Sequence, residues 1–305
     1  MDVSSTKSLV YLTMRRKFHL KDVGVATITK GEAEQVERAN GSGKTPVVFI
    51  HGLWLLPSSW QKWMEFFEQA GYAPLAPGWP GDPESVEAAR ANPQALAGVG
   101  VAAVADHFAE VIGGLERKPA IIGHSFGGLI TQILAGRGLS VASVAIDPAP
   151  FKGVLPLPLA AIRTTLPVLG NPLNKGRTVT LSFEQFRYGW TNAAPEAEAR
   201  ALYDEYHVAA PGKPIFQAAM ANFNPSAETK VDTKSAERGP LLIFTGESDH
   251  AVPPAMSKAA YKQQSRNPGV TEHIEMANRD HSLVIDQGWR EVAENALAFV
   301  KRFGD

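Results

Sequence analysis

The stretch that most constrains this chain runs from Pro119 to Gly136. Its first residues, Pro119-Ala120-Ile121-Ile122-Gly123, form a continuous apolar run of the kind found in strands buried on both faces. His124-Ser125-Phe126-Gly127 comes next without a spacer, and a helical pattern takes over from Phe126 to Gly136. A chain that passes from strand to helix in so few residues must turn sharply, which forces the residue at the turn into strained φ/ψ. Glycines two residues to either side of Ser125 remove side chains that would collide there. The helix also directs its N-terminus at the turn, where developing negative charge is stabilised. Ser125 is therefore a candidate nucleophile.

The same alternation extends over most of the sequence. Pro46-Val47-Val48-Phe49-Ile50 is a second apolar run, ending at His51-Gly52. A helix is expected from a cap at Ser58 or Ser59 through Ala70, closed by Gly71 as a C′ glycine. Tyr72 to Ala76 reads as a strand, Pro77 to Asp82 as a turn, and Gln94 to Leu115 as one long helix despite Gly98 and Gly100. Val141 to Ile146, Pro240 to Thr245 and Thr271 to Met276 read as strands, Pro254 to Gln264 and Gln287 to Phe303 as helices. Upstream, Leu9 to Arg15 and Gly24 to Thr29 read as short strands, and the polar stretch from Lys30 to Thr45 as a separator. Strands alternating with helices predict an α/β fold, a mostly parallel twisted sheet with helices on both faces.

One interval breaks the pattern. Residues 148–238 are proline-rich at first and then helical, notably at Phe183-x-x-Phe186-x-x-x-Trp190 and from Pro195 to Tyr206. Because the alternation resumes afterwards, this interval reads as an inserted helical cap, or lid, within a core built from residues 1–147 and 239–305. Its aromatics are candidates for an apolar acyl pocket, although helical spacing alone more often means packing of cap on core.

Composition narrows the chemistry. The chain has 305 residues, 44% of them hydrophobic, and a formal net charge of -1, so electrostatics gives no reason to expect nucleic acid or an anionic membrane as partner. Cysteine is absent, which excludes disulfides, thiolate metal sites and a cysteine nucleophile. No His-Glu-x-x-His motif occurs, so no metal and no cofactor is expected. Gly41-Ser42-Gly43-Lys44-Thr45 echoes a phosphate loop, but it precedes a strand and lacks the required first glycine, so it reads as a flexible turn. No apolar run is long enough for a membrane span, and none in Met1 to Lys21 suits a signal peptide; the expected location is cytoplasmic.

Taken together, His51-Gly52 after a buried strand, Gly123-His124-Ser125-Phe126-Gly127-Gly128, Gly246-Glu247-Ser248-Asp249-His250-Ala251-Val252-Pro253 and Asp280-His281-Ser282 resemble the α/β-hydrolase family. The similarity lies with its serine esterase, lipase and cofactor-free haloperoxidase-like members and spans Pro46 to Phe303. The resemblance implies the α/β-hydrolase fold and a catalytic triad in the order nucleophile, acid, histidine. Ser125 would be the nucleophile and His281 the base. Asp249 would be the acid, with Asp147, which also ends a strand, as its rival. The oxyanion hole would be the N–H groups of Leu53 and Phe126, with Trp54 as the alternative donor and a substrate contact. Leu53 to Leu56 would form an apolar mouth. His124 reads as packing, His51 as shaping the oxyanion loop, and Asp280 as structural. His19, His107, His207, His250 and His273 read as surface or satisfied polar residues.

The expected reaction is hydrolysis of a small carboxylic ester through an acyl-enzyme, with lactones or amides as variants. The same triad also serves acyl transfer, perhydrolysis or C–C bond hydrolysis, and a non-catalytic small-molecule receptor is a third class. Dehalogenase and epoxide hydrolase chemistry is disfavoured, because those members carry Asp where Ser125 stands.

Overall fold

A computed structural model describes residues 28–304. The strand expected at Leu9 to Arg15 lies outside the described residues, as does most of Gly24 to Thr29. The stretch expected to be a polar separator is instead a helix, α1 (Lys30–Ser42). It starts in a capping box: the Thr29 hydroxyl accepts from the Glu32 N–H, and the Glu32 carboxylate accepts back from the Thr29 N–H. Only Glu32, Val36 and Ala39 are buried, so the apolar stripe is too thin to stand out in the sequence.

Then come β1 (Pro46–Ile50), α2 (Gln61–Gln69), β2 (Ala73–Leu75), α3 (Val86–Ala91), α4 (Val101–Gly113), β3 (Ala120–His124), α5 (Phe126–Gly136) and β4 (Ala142–Ile146). A 3₁₀ turn, Pro57–Trp60, leads into α2 in place of the expected serine cap, and the Ser59 hydroxyl donates to the Leu56 carbonyl instead. The long helix expected from Gln94 begins only at Val101, because Gly98 sits at φ 80 and turns the chain. A Cβ on Gly100 would lie 2.9 Å from Cε of Lys213, so that position is a close approach of two segments and not helix interior.

The interval after β4 holds α6 (Leu159–Leu169), β5 (Thr178–Val179), α7 (Phe183–Gly189), α8 (Glu196–Tyr206), β6 (Ala210–Pro211) and α9 (Lys213–Ala219). β5 and β6 pair as a small antiparallel ribbon. α6 carries Pro167 inside it, which hides it in the sequence. The chain then returns through β7 (Leu241–Gly246), α10 (Pro254–Gln264), β8 (Thr271–Met276) and α11 (Trp289–Phe303).

The main sheet is six-stranded, in the order β2-β1-β3-β4-β7-β8, and every pair is parallel. α4 packs on α1 and α5, and α10 joins that side through the Gln264–Gln132 side-chain bond to α5. α2 packs on α11 to cover the opposite face. β1, β3, β4 and β7 are buried throughout, which explains their continuous apolar runs. The chain leaves β1 outward to β2 and returns past β1 to β3. Strand order therefore reverses between β1 and β3, and the loops leaving those two strands diverge at the sheet's carboxyl edge, where crevices form in open α/β sheets. Among the described residues no helix is long and apolar enough to cross a membrane.

Candidate active site

Ser125 stands at φ 56, ψ -120, directly between β3 and α5. This is a costly conformation for a residue with a Cβ, and the surroundings hold it there. Its N–H donates to the Ile146 carbonyl at 2.9 Å, and its carbonyl accepts from the N–H groups of Leu129 and Ala149. Neither flanking glycine has room for a side chain: a Cβ on Gly123 would strike the Gly127 carbonyl, and one on Gly127 would strike that of Ile50. Gly52 is equally tight, since its Cβ would lie 2.7 Å from that of Ser125. The loop after β1 thus lies against the turn after β3, and Leu53, the next residue, is 2% exposed. The Phe126 N–H opens α5 and has no carbonyl within the helix to meet.

The loop after β1 is tied down on its other side. The His51 ring meets Asp82 Oδ2 through Nε2 at 2.7 Å and the Gly52 carbonyl through Nδ1 at 2.8 Å. The Trp79 indole donates to the His51 carbonyl. Leu53, Trp54, Leu55 and Leu56 do not form an open mouth, because all four are buried; Leu56 packs in a separate small cluster with Ala89 and Val208. Trp54 sits at φ 62, and its indole N–H donates to the Val179 carbonyl in β5.

His281 and Asp249 come from the loops after β8 and β7. His281 Nδ1–H donates to Asp249 Oδ2 at 2.7 Å, and both residues are almost wholly buried. The other oxygen of Asp249 accepts from the N–H groups of Ala251 at 2.6 Å and Val252 at 2.8 Å, which fixes the carboxylate's orientation. Asp280, next to His281, turns away: Oδ1 accepts from the Ser282 N–H and hydroxyl, and Oδ2 from the N–H groups of Ala193 and Ala194. It fastens the histidine loop to the chain beyond α7. A cleft of about 230 Å³ opens beside this loop, between residues 193–195 and 286–288, but neither Ser125 nor His281 lines it.

Asp147, the rival acid, is also near. One ligand atom each of His124, Asp147 and His281 falls within 4.8 Å of the others. Asp147 is fully buried at φ 42, with Oδ1 accepting from the Gly246 N–H at 2.7 Å and Oδ2 unpartnered. Burial, reinforced by the neighbouring Asp249 charge, pushes its carboxyl well above the usual carboxylate range. Burial thus disfavours the charged form of Asp147, whereas Asp249 bonds the histidine directly.

Two contacts on His281 carry no signal in the sequence. His124 is not simple packing: its Nε2–H donates to the His281 carbonyl at 2.8 Å, and burial lowers its pKa well below the ordinary value. Trp190, which ends α7, stands edge-on to the His281 ring with centroids 4.7 Å apart. Behind Trp190 lie Phe186, stacked at 5.6 Å, and then Tyr203 and His207, stacked on each other at 4.5 Å. Of the remaining histidines, His107 and His207 are buried, not on the surface; His107 bonds Glu32 at 2.8 Å. His250 bonds the Tyr188 carbonyl, His273 bonds Thr245, and His19 lies outside the described residues. Phe223 is 81% exposed.

A family model described as "Alpha/beta hydrolase family" matches residues 47–295. No curated protein sequence matches the chain. Among solved structures, the monoacylglycerol lipase of Paleococcus ferrophilus is 22% identical, with a TM-score of 0.61 over 85% of this chain and 94% of that one. An esterase from Thermogutta terrifontis is 18% identical, with a TM-score of 0.61 over 86% and 91%. A pyrethroid hydrolase from Sphingobium faniae JZ-2 is 16% identical, with a TM-score of 0.55 over 84% and 97%. At these identities the likeness is one of fold.

Proposed function

The chain belongs to the alpha/beta hydrolase family, and from that premise we propose that it hydrolyses small carboxylic esters through an acyl-enzyme on Ser125. The observation that carries the reading is the buried 2.7 Å bond from His281 Nδ1 to Asp249, on the loops beside the strained turn that presents Ser125. A serine hydroxyl is a weak nucleophile until a base takes its proton. With Nδ1–H committed to Asp249, His281 keeps its Nε2 lone pair as that base.

Ser125 Oγ adds to the ester carbonyl as its proton passes to His281 Nε2. The carbonyl oxygen becomes an oxyanion, which the N–H groups of Phe126 and Leu53 receive; each such donor contributes on the order of 3 kcal/mol to the barrier reduction. As the carbon–oxygen bond to the alcohol breaks, the His281 proton leaves with the alcohol. Water then adds to the acyl-enzyme with His281 again as base, and the acid and free Ser125 are released. Asp249 holds the tautomer and stabilises the transient imidazolium. Asp147 bonds the Gly246 N–H and not the His281 ring, and its burial disfavours the charge that task needs. In this reading residues 148–238 form a cap over a core of residues 1–147 and 239–305, and Trp190 is the cap residue that reaches the base.

Ser125→Ala should lower turnover of a p-nitrophenyl ester of a short acid by roughly 10⁴-fold or more. A fluorophosphonate probe should label the parent chain at Ser125 and leave the variant unlabelled. Turnover retained in a folded Ser125→Ala protein would overturn the reading.

A further inference from the structure

Apolar surface is distributed very unevenly over this molecule. Among the described residues nine large hydrophobics are exposed, and all but Val270 lie between residues 155 and 223. Leu155 and Leu157 alternate with prolines in the loop before α6 and are 76% and 68% exposed. On α6 itself Leu159, Ile162 and Leu166 are exposed, while Ala161, Thr164 and Val168 are buried. Both sets repeat at i, i+3 and i+7, so the helix buries one face and turns a second, wholly apolar stripe outward. A helix on a surface normally turns its polar side to solvent and covers its apolar stripes. This one has nothing over its outer stripe among the described residues.

The remaining exposed apolar side chains belong to the same face. Leu173 lies on the 3₁₀ turn Pro172–Gly176, which packs on α6 and α9. Met220 and Phe223 lie at the end of α9 and on the short turn Ala221–Phe223. That turn is laced to the proline loop, since Asn222 Nδ2–H donates to the Val154 carbonyl and the Lys152 ammonium donates to the Asn224 carbonyl.

The segments that build this face carry charge of one sign. From residue 148 to 183 the sequence has no Asp or Glu, but it has Lys152, Arg163, Lys175 and Arg177. From residue 207 to 227 there is again no acid, and Lys213 is the basic residue. None of these five cations pairs with a carboxylate among the described residues: Lys152 and Lys213 reach carbonyl oxygens, and Arg163 lies over the Tyr188 ring. The net charge of -1 conceals this segregation.

We propose that the face built by the proline loop, α6 and the turns carrying Leu173 and Phe223 docks on an anionic phospholipid surface. Protruding leucine and phenylalanine side chains enter the acyl boundary while lysine and arginine meet phosphate, the two-part recognition used by proteins that lie on membranes. The charge argues against the other occupants. A second copy would bring the same cations face to face. The first 27 residues, with Lys7, Arg15, Arg16, Lys17 and Lys21 against Asp2 and Asp22, carry the same sign as the patch.

The test is co-sedimentation of the full chain with vesicles of 30% phosphatidylglycerol in phosphatidylcholine, beside vesicles of phosphatidylcholine alone. The bound fraction should be at least tenfold greater on the anionic vesicles and should fall as salt rises. Leu157→Asp with Leu159→Asp, and separately Lys175→Glu with Arg177→Glu, should each lower it at least tenfold. Turnover of a water-soluble ester and the circular dichroism spectrum report that both variants are folded. No binding by the parent chain overturns the proposal, as does binding that survives both variants, which would place the contact elsewhere. A dimer in sedimentation velocity that the leucine pair abolishes overturns it in favour of a second copy.

Discussion

The sheet's carboxyl edge and the segment between β4 and β7 treat apolar surface in opposite ways. In the sheet, β1, β3, β4 and β7 are buried along their whole length, and their glycines are squeezed against neighbouring carbonyls. In the segment, α6 shows apolar residues on two faces, and its loops leave leucine and phenylalanine in solvent. Close packing over-determines the strained turns at Ser125 and Asp147, so the reacting geometry is stored in the sheet. The segment reaches that geometry chiefly through side chains, with Trp190 on His281, the Trp54 indole on β5 and Asp280 on the chain after α7. In the proposed reaction the chemistry belongs to the sheet's loops.

If the chemistry resides in the sheet's loops, two aspartates there should differ sharply. Asp249→Asn leaves the shape intact but presents an amide where the base needs a carboxylate, and kcat should fall by about 10⁴-fold, the order seen when triad carboxylates are neutralised elsewhere. Asp147→Asn puts a neutral isostere where burial disfavours the charged carboxylate and where no bond to His281 is lost, and kcat should change by less than about tenfold. Steady-state kinetics on one soluble ester checks both. Equal losses would mean that Asp147 shares the work of the triad acid.

Packing should divide the two regions in the same direction. Gly127→Ala sets a methyl group against the Ile50 carbonyl, and a backbone contact cannot swing aside. The cost should be about 3 kcal/mol or more, at or beyond the upper end for overpacking. Gly176→Ala, in the segment, meets nothing within 4 Å and has no left-handed φ, so its effect should stay within about 0.5 kcal/mol. Urea midpoints at constant slope measure both.

The same contrast decides how much is legible in the sequence. β1, β3, β4 and β7 fall within a residue of where their apolar runs place them, because a strand between two layers must be apolar throughout. α1 escapes such a reading although Thr29-Lys30-Gly31-Glu32 spells its capping box, because its buried stripe is thin. α6 is masked because Pro158 and Pro167 suggest a loop, when one is its cap and the other lies in its last turn. In the site, Ser125, Asp249 and His281 stand out as motifs, each at the end of a legible strand. The hydrogen bond of His124 to the His281 carbonyl and the Trp190 edge on the His281 ring depend on tertiary approach across 157 and 91 positions, which no local pattern encodes.

The segment should also respond to acid through His207. Its ring is buried against Tyr203, and Nε2 accepts from the Leu181 N–H, which requires the neutral form; burial lowers its pKa to about 4. In the unfolded chain the ring titrates near the ordinary value of about 6.5. Above that pH neither state is protonated, and His207 adds no pH dependence. Between about 6.5 and 4 the unfolded chain binds a proton that the native one refuses, so stability falls as pH falls, by up to about 3 kcal/mol across the window, and levels off below it. His207→Gln retains a neutral acceptor that does not titrate. Thermal unfolding from pH 8.5 to 4.5 should therefore show a shallower loss in the variant than in the parent, with the two curves parallel above about pH 7.5. If the slopes coincide across the whole range, the acid sensitivity belongs to His124 and the sheet, and in this respect the two regions do not differ.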